Sequence, residues 1–291
     1  MMKNMQLATS TSQQSSLYQR DIRLSGGAHA VLLVHGLAST PLELRIVAKA
    51  LHKHDFTTVV PYFPGYGNDS ACASWQDWLA GVRAQFLALQ ATHTTVSLGG
   101  LCIGATLALA LAIEQPVQSL ALLSTTLQYD GWAIPYYHPL LSLAYHTPIK
   151  NWYTYREREP FGLKNEKLRE GIRRSMLASN QSRAGASAIS IDHIYQAQQL
   201  AKYVRKNLSR ITCDTLLMHA IDDETSSPKN AQIVYDGINS RYKRKLMLDD
   251  CYHMITLDNG RDNVARETAL FIKESVSRNT ASHLPRIQQQ G

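Results

Sequence analysis

With 291 residues, 44% of them hydrophobic and 18% charged, the chain holds enough apolar material for one large or two small globular domains. Its four cysteines, at 72, 102, 213 and 251, form no C-x-x-C pair and no regular framework; this speaks against a disulfide scaffold or structural zinc and suits a reducing, cytoplasmic compartment. The net charge of +7 is localised, because residues 127–210 hold 13 Lys/Arg against 6 Asp/Glu and the rest of the chain is balanced.

Residues 1–19 are polar, lack an apolar signal core and read as a flexible leader. Six apolar runs of strand length follow: AVLLVHG (30–36), TTVVPYF (57–63), TTVSLGG (94–100), QSLALLS (118–124), DTLLMHA (214–220) and RKLMLDD (244–250). Continuous rather than alternating apolar character suits strands covered on both faces of a parallel sheet. Helical patterns separate them. TPLELRIVAKALHKH opens with Thr40 as a cap candidate and Pro41 in the first turn, and SWQDWLAGVRAQFLALQ has a capping-box start at Ser74 and Asp77. The longest apolar run, Leu101–Ile113, ends at Glu114, short of the ~20 residues that span a bilayer. The pattern predicts an α/β fold, a doubly wound, mostly parallel sheet. Residues 127–210 break the rhythm with eight Tyr/Trp between 129 and 155, four prolines between 135 and 160, and then basic helical sequence. This segment is expected to form a cap or lid inserted into a core of residues 20–126 and 211–280, with 281–291 a flexible tail. Trp132 and Tyr136, in its aromatic front, are candidate pocket residues.

The chemistry centres on GGLCIGA, where a strand turns into a helix around Cys102. A glycine-flanked nucleophile at such a turn is a nucleophile elbow, and Gly100 and Gly104 leave room for the close approach of strand and helix. Asp222 and Asp223 follow the strand DTLLMHA, at the sheet end where ligands bind, and His253 follows the last strand. In that order, His253 would take the proton from Cys102 and an aspartate would orient the imidazole. The oxyanion donors would be the amides of Ile103 and of Leu37, which follows Gly36 in the HG loop.

The stretches LLVHGLAST, PYFPGYGND, GGLCIGA, HAIDDETSSP and YHMITLDNGRD resemble the successive motifs of the carboxylesterase and monoacylglycerol-lipase branch of the α/β-hydrolase superfamily. The resemblance spans residues 28–275. It implies an α/β-hydrolase fold with a helical cap, and it implies that Asp223, five residues before Pro228, is the acid. It also implies that Phe63–Gly67, with Tyr66, form the turn beside the pocket. That branch carries serine at the elbow; the G-x-C-x-G spelling is similar to polyhydroxyalkanoate synthases and dienelactone hydrolases.

A cysteine acyl-enzyme is itself a thioester and keeps its acyl group activated. The sequence therefore points to an acyl thioester or activated ester as substrate, carried on acyl carrier protein or coenzyme A, with acyl transfer or hydrolysis to follow. A basic cap would steer such acidic carriers. The alternatives are a carboxylesterase or lipase with cysteine in place of serine, and a non-catalytic ligand-binding protein. No metal, cofactor, nucleic acid or membrane span is expected.

Overall fold

The computed structural model describes residues 19–67, 71–135, 145–148, 154–179, 181–182, 185–186 and 188–282. The strands β1 (Ile22–Leu24), β2 (His29–Val34), β3 (Thr57–Val60), β4 (Thr95–Leu101), β5 (Ser119–Leu123), β6 (Asp214–Ala220) and β7 (Lys243–Leu248) form one sheet. Their order is β1-β3-β2-β4-β5-β6-β7, with β1 antiparallel to β3 and all other neighbours parallel. The helices are α1 (Arg45–Lys53), α2 (Trp75–Gln90), α3 (Ile103–Glu114), α4 (Glu166–Ser179), α5 (Ile191–Asn207), α6 (Lys229–Gly237) and α7 (Arg261–Ser282).

The alternation of β2 explains why its sequence is apolar throughout. Ala30, Leu32 and Val34 enter a core shared with α2, α3, α5 and α6, while Val31 and Leu33 enter the opposite core with α1 and α7. Helix α3 has no polar face because it lies between the sheet and the helices α2 and α5. Each fully buried leucine in these layers contributes about 2 kcal/mol of transfer free energy. Strand order reverses between β2 and β4, so the loops leaving these two strands flank the crevice where open α/β sheets bind ligands.

Within the predicted cap, Thr154–Arg156 pairs antiparallel with Ala188–Ser190, and Gln181–Ser182 with Gly185–Ala186. Helix α5, at the end of that segment, packs on α3 as a layer of the sandwich. The segment is tied to the body by backbone bonds, Ala186 N to Ala38 O at 2.9 Å and Met254 N to Gly162 O at 2.9 Å. Among the described residues no helix is long and apolar enough to cross a membrane. The expected leader and tail fall almost wholly outside the described residues, and Tyr136 falls outside them too.

Candidate active site

Cys102 stands between β4 and α3 with φ 58° and ψ −123°, a conformation that strains an L-residue. The turn holds because Cys102 N donates to Leu123 O at 3.0 Å and Cys102 O accepts from Ala105 N at 3.1 Å. A Cβ on Gly100 would overlap the backbone of Gly104, and one on Gly104 would overlap the carbonyl oxygens of Val34 and His35. Only glycine lets β4, α3 and the loop after β2 meet this closely.

That loop runs His35-Gly36-Leu37-Ala38. Its shape comes from Glu43, a buried carboxylate that accepts hydrogen bonds from Gly36 N and Ser39 Oγ. Ala38 N donates to Tyr66 O, and Tyr66 Oη donates to His35 O at 2.7 Å. The amides of Leu37 and Ile103 make no hydrogen bond to another described residue. Leu37 lines the cavity at Cys102, and Ile103 opens α3 beside it.

His253 follows β7, and its main chain is fixed at both ends, with Glu224 accepting from His253 N at 3.0 Å and Ser124 Oγ donating to His253 O at 2.7 Å. Its Nδ1 lies 2.8 Å from Asp223 Oδ2 and 3.0 Å from Oδ1, which assigns the proton to Nδ1 and leaves a lone pair on Nε2. Nε2 is buried without a fully formed hydrogen bond, and the Cys102 side chain is near enough to act on the ring. Asp223 also accepts from Ser226 N at 2.7 Å and Thr225 N at 2.9 Å, and His219 Nε2 lies 3.2 Å away. Burial alone would raise the Asp223 carboxyl, but His253 and His219 outweigh it and hold it well below the carboxylate range. Burial would likewise lower the imidazole, yet Asp223 and Cys102 hold it well above its ordinary value. Asp222 is exposed, 3.6 Å from Lys164, and takes no part in this arrangement.

The cavity at Cys102 has a volume of about 80 Å³, with Leu37, Tyr129, His253 and Met254 in its wall beside three carboxyl groups. Burial raises Glu43 to about 7, against the hydrogen bonds from Ser39 and Gly36. Burial, with Glu224 nearby, raises Glu157 to about 7. Burial also raises Glu224. Of the aromatic candidates, Tyr66 is fully buried against Trp78 and supports the HG loop from behind, so it does not line this cavity. Trp132 is 62% exposed, with Nε1 donating to Asp222 O, and lies on the surface. A second hydroxyl network escaped the sequence reading: Thr126 Oγ1 lies 3.4 Å from Cys102 Sγ and 3.1 Å from Ser226 Oγ.

Residues 27–260 match the model of the family described as serine aminopeptidase, S33 (Hydrolase_4). The chain belongs to this family. The chain is also similar to a thermostable monoacylglycerol lipase of Bacillus sp. (strain H-257), 28% identical over 80% of this chain and 85% of that one. A carboxylesterase of Bacillus subtilis (strain 168) is 22% identical over 86% of this chain and 94% of its own length. A solved structure from the metagenome-derived lipolytic enzymes LipS and LipT superposes with a TM-score of 0.75 at 20% identity, covering 88% of this chain and 98% of that one. The fold is therefore that of the α/β-hydrolases.

Proposed function

We propose that the protein is an acyl-transferring or acyl-hydrolysing enzyme that takes its acyl group from a thioester or activated ester onto Cys102. The observation that carries this reading is the juxtaposition of a positive-φ cysteine at the head of α3 with an imidazole whose Nδ1 is held by a buried aspartate. His253 Nε2 takes the Cys102 proton before sulfur attacks the acyl carbon, in keeping with the raised proton affinity of the imidazole beside Asp223 and Cys102. The amides of Leu37 and Ile103 receive the oxyanion. Collapse breaks the bond to the leaving thiolate or alkoxide, which receives the proton from His253. Water or an acceptor, deprotonated in turn by His253, then attacks the acyl-cysteine and restores the thiol.

Simple oxygen-ester hydrolysis is the second reading, favoured by the lipase and carboxylesterase names of the relatives. Intact-mass measurement after brief mixing with acyl-N-acetylcysteamine thioesters and with matched oxygen esters separates the two. A persistent acyl adduct on the native protein, absent from Cys102→Ala, supports the thioester route with slow attack by water. Turnover of oxygen esters alone supports the second reading. No adduct and no turnover of either class would remove both.

A further inference from the structure

A groove of about 520 Å³ is lined by Ile103 and Thr126, next to Cys102, and shares Tyr129 with the cavity at Cys102. One wall is α5, which contributes Gln198, Lys202, Arg205 and Lys206; the other is the segment after β5. Its floor is apolar, with Ile103, Leu127, Ala197 and Ala201, and Thr126 at its inner end has Oγ1 3.4 Å from Cys102 Sγ. Lys202, Arg205 and Lys206 are exposed, and none has a hydrogen-bond or ion-pair partner among the described residues. The groove's one carboxylate, Asp130, is engaged elsewhere. It accepts from Ser227 N and Ser227 Oγ at 2.8 Å each and from Asn230 Nδ2 at 2.9 Å.

Three uncompensated cations over an apolar floor suit a ligand with a phosphorylated end and an uncharged arm. We propose that this groove holds the nucleotide end of a coenzyme A-type acyl thioester, with the pantetheine arm passing Tyr129 and Thr126 to bring the thioester to Cys102. The proposal rests on the thioester reading above and gives that reading its carrier. A concave site of this volume is in the range of small-ligand pockets, and it is charge-complementary to phosphates. A carrier protein would instead dock over a broad convex patch.

Titration of coenzyme A into Cys102→Ala by calorimetry at low salt tests the site without chemistry. The expected result is saturable binding that weakens at least tenfold in the Lys202→Glu/Arg205→Glu background and is little changed by Lys167→Glu, an exposed cation on α4 away from the groove. Unaltered thermal midpoints would show that the variants fold. Absence of binding, or equal weakening by the double reversal and by Lys167→Glu, would overturn the proposal. So would groove-dependent binding of a phosphopantetheinylated carrier protein without binding of coenzyme A. The absence of both an acyl adduct on Cys102 and turnover of thioesters would count against the thioester reading, whereas the calorimetry decides the groove by itself.

Discussion

Glu43 shows how one buried residue can couple this site to pH. Its carboxyl has almost no solvent contact and shapes the HG loop through Gly36 N and Ser39 Oγ. A folded-state value of about 7 against an ordinary value near 4.5 means that the native state keeps a proton which the unfolded chain releases in between. Stability from this group is therefore complete below about pH 4.5 and falls as pH rises through 7. The shift corresponds to roughly 3 kcal/mol at 1.36 kcal/mol per unit. Glu43→Gln can keep both contacts, since the amide oxygen accepts from Gly36 and the amide nitrogen can donate to Ser39 Oγ. Urea denaturation at pH 5 and pH 8 should then show a smaller loss of stability between the two pH values for the variant than for the native protein. An identical loss would mean that Glu43 titrates normally. The thiols of Cys213 and Cys251 offer a contrast, because burial pushes both to about 12 and leaves them unreactive near neutrality.

At the scale of elements, Asp258 joins the turn that precedes α4 to the histidine loop. Its buried carboxylate accepts from Lys164 N at 2.7 Å and Asn165 N at 2.9 Å, ahead of α4, and from Tyr252 N at 2.9 Å, next to His253. Asp258→Asn would turn an NH₂ group toward backbone donors whichever way the amide is flipped. Leaving such groups unpaired costs about 3 kcal/mol, or roughly 5 °C in a chain of this size. Calorimetry showing a midpoint within about 1 °C of the native protein would contradict this role. The elements themselves were largely legible: five of the six longer strands read as apolar runs because both faces of the sheet are covered there, while the edge strand β7 is apolar only over residues 246–248 and is only partly buried. β1 was not legible, since three residues at an antiparallel edge give no periodicity to read. The order of Cys102, Asp223 and His253 could be read because each follows a strand. The carboxyl groups around Cys102 could not, for Glu43 sits in what reads as one amphipathic helix and Glu157 in a run of alternating charges that reads as a solvated surface. Neither the turn that singles out Tyr66 nor the aromatic density that singles out Trp132 says which way a ring points, and neither ring lines the cavity at Cys102.

Across the whole molecule, charge is sorted by depth. The basic excess of residues 127–210 includes the exposed cations of α5, whereas the cavity at Cys102 is walled by Glu43, Glu157 and Glu224. An anionic carrier can thus be held outside while an anionic acyl group is repelled within. Two like charges about 10 Å apart at an effective dielectric of ~20 repel by about 1.7 kcal/mol, a little over tenfold in rate. Succinyl and pentanoyl thioesters of N-acetylcysteamine test this, since they match in length and differ in the terminal charge. At pH 8, with Glu43 and Glu157 ionised above their values of about 7, kcat/KM for the succinyl substrate should be about tenfold lower. At pH 6 both carboxyls are mostly protonated and the gap should narrow to within about threefold; the ratio cancels the titration of His253, which both substrates share. Glu157→Gln should narrow the gap at pH 8 as well. Equal rates for the two thioesters at pH 8 would mean that the carboxyl groups do not face the acyl chain, and the acyl group would then have to occupy another wall of the cavity.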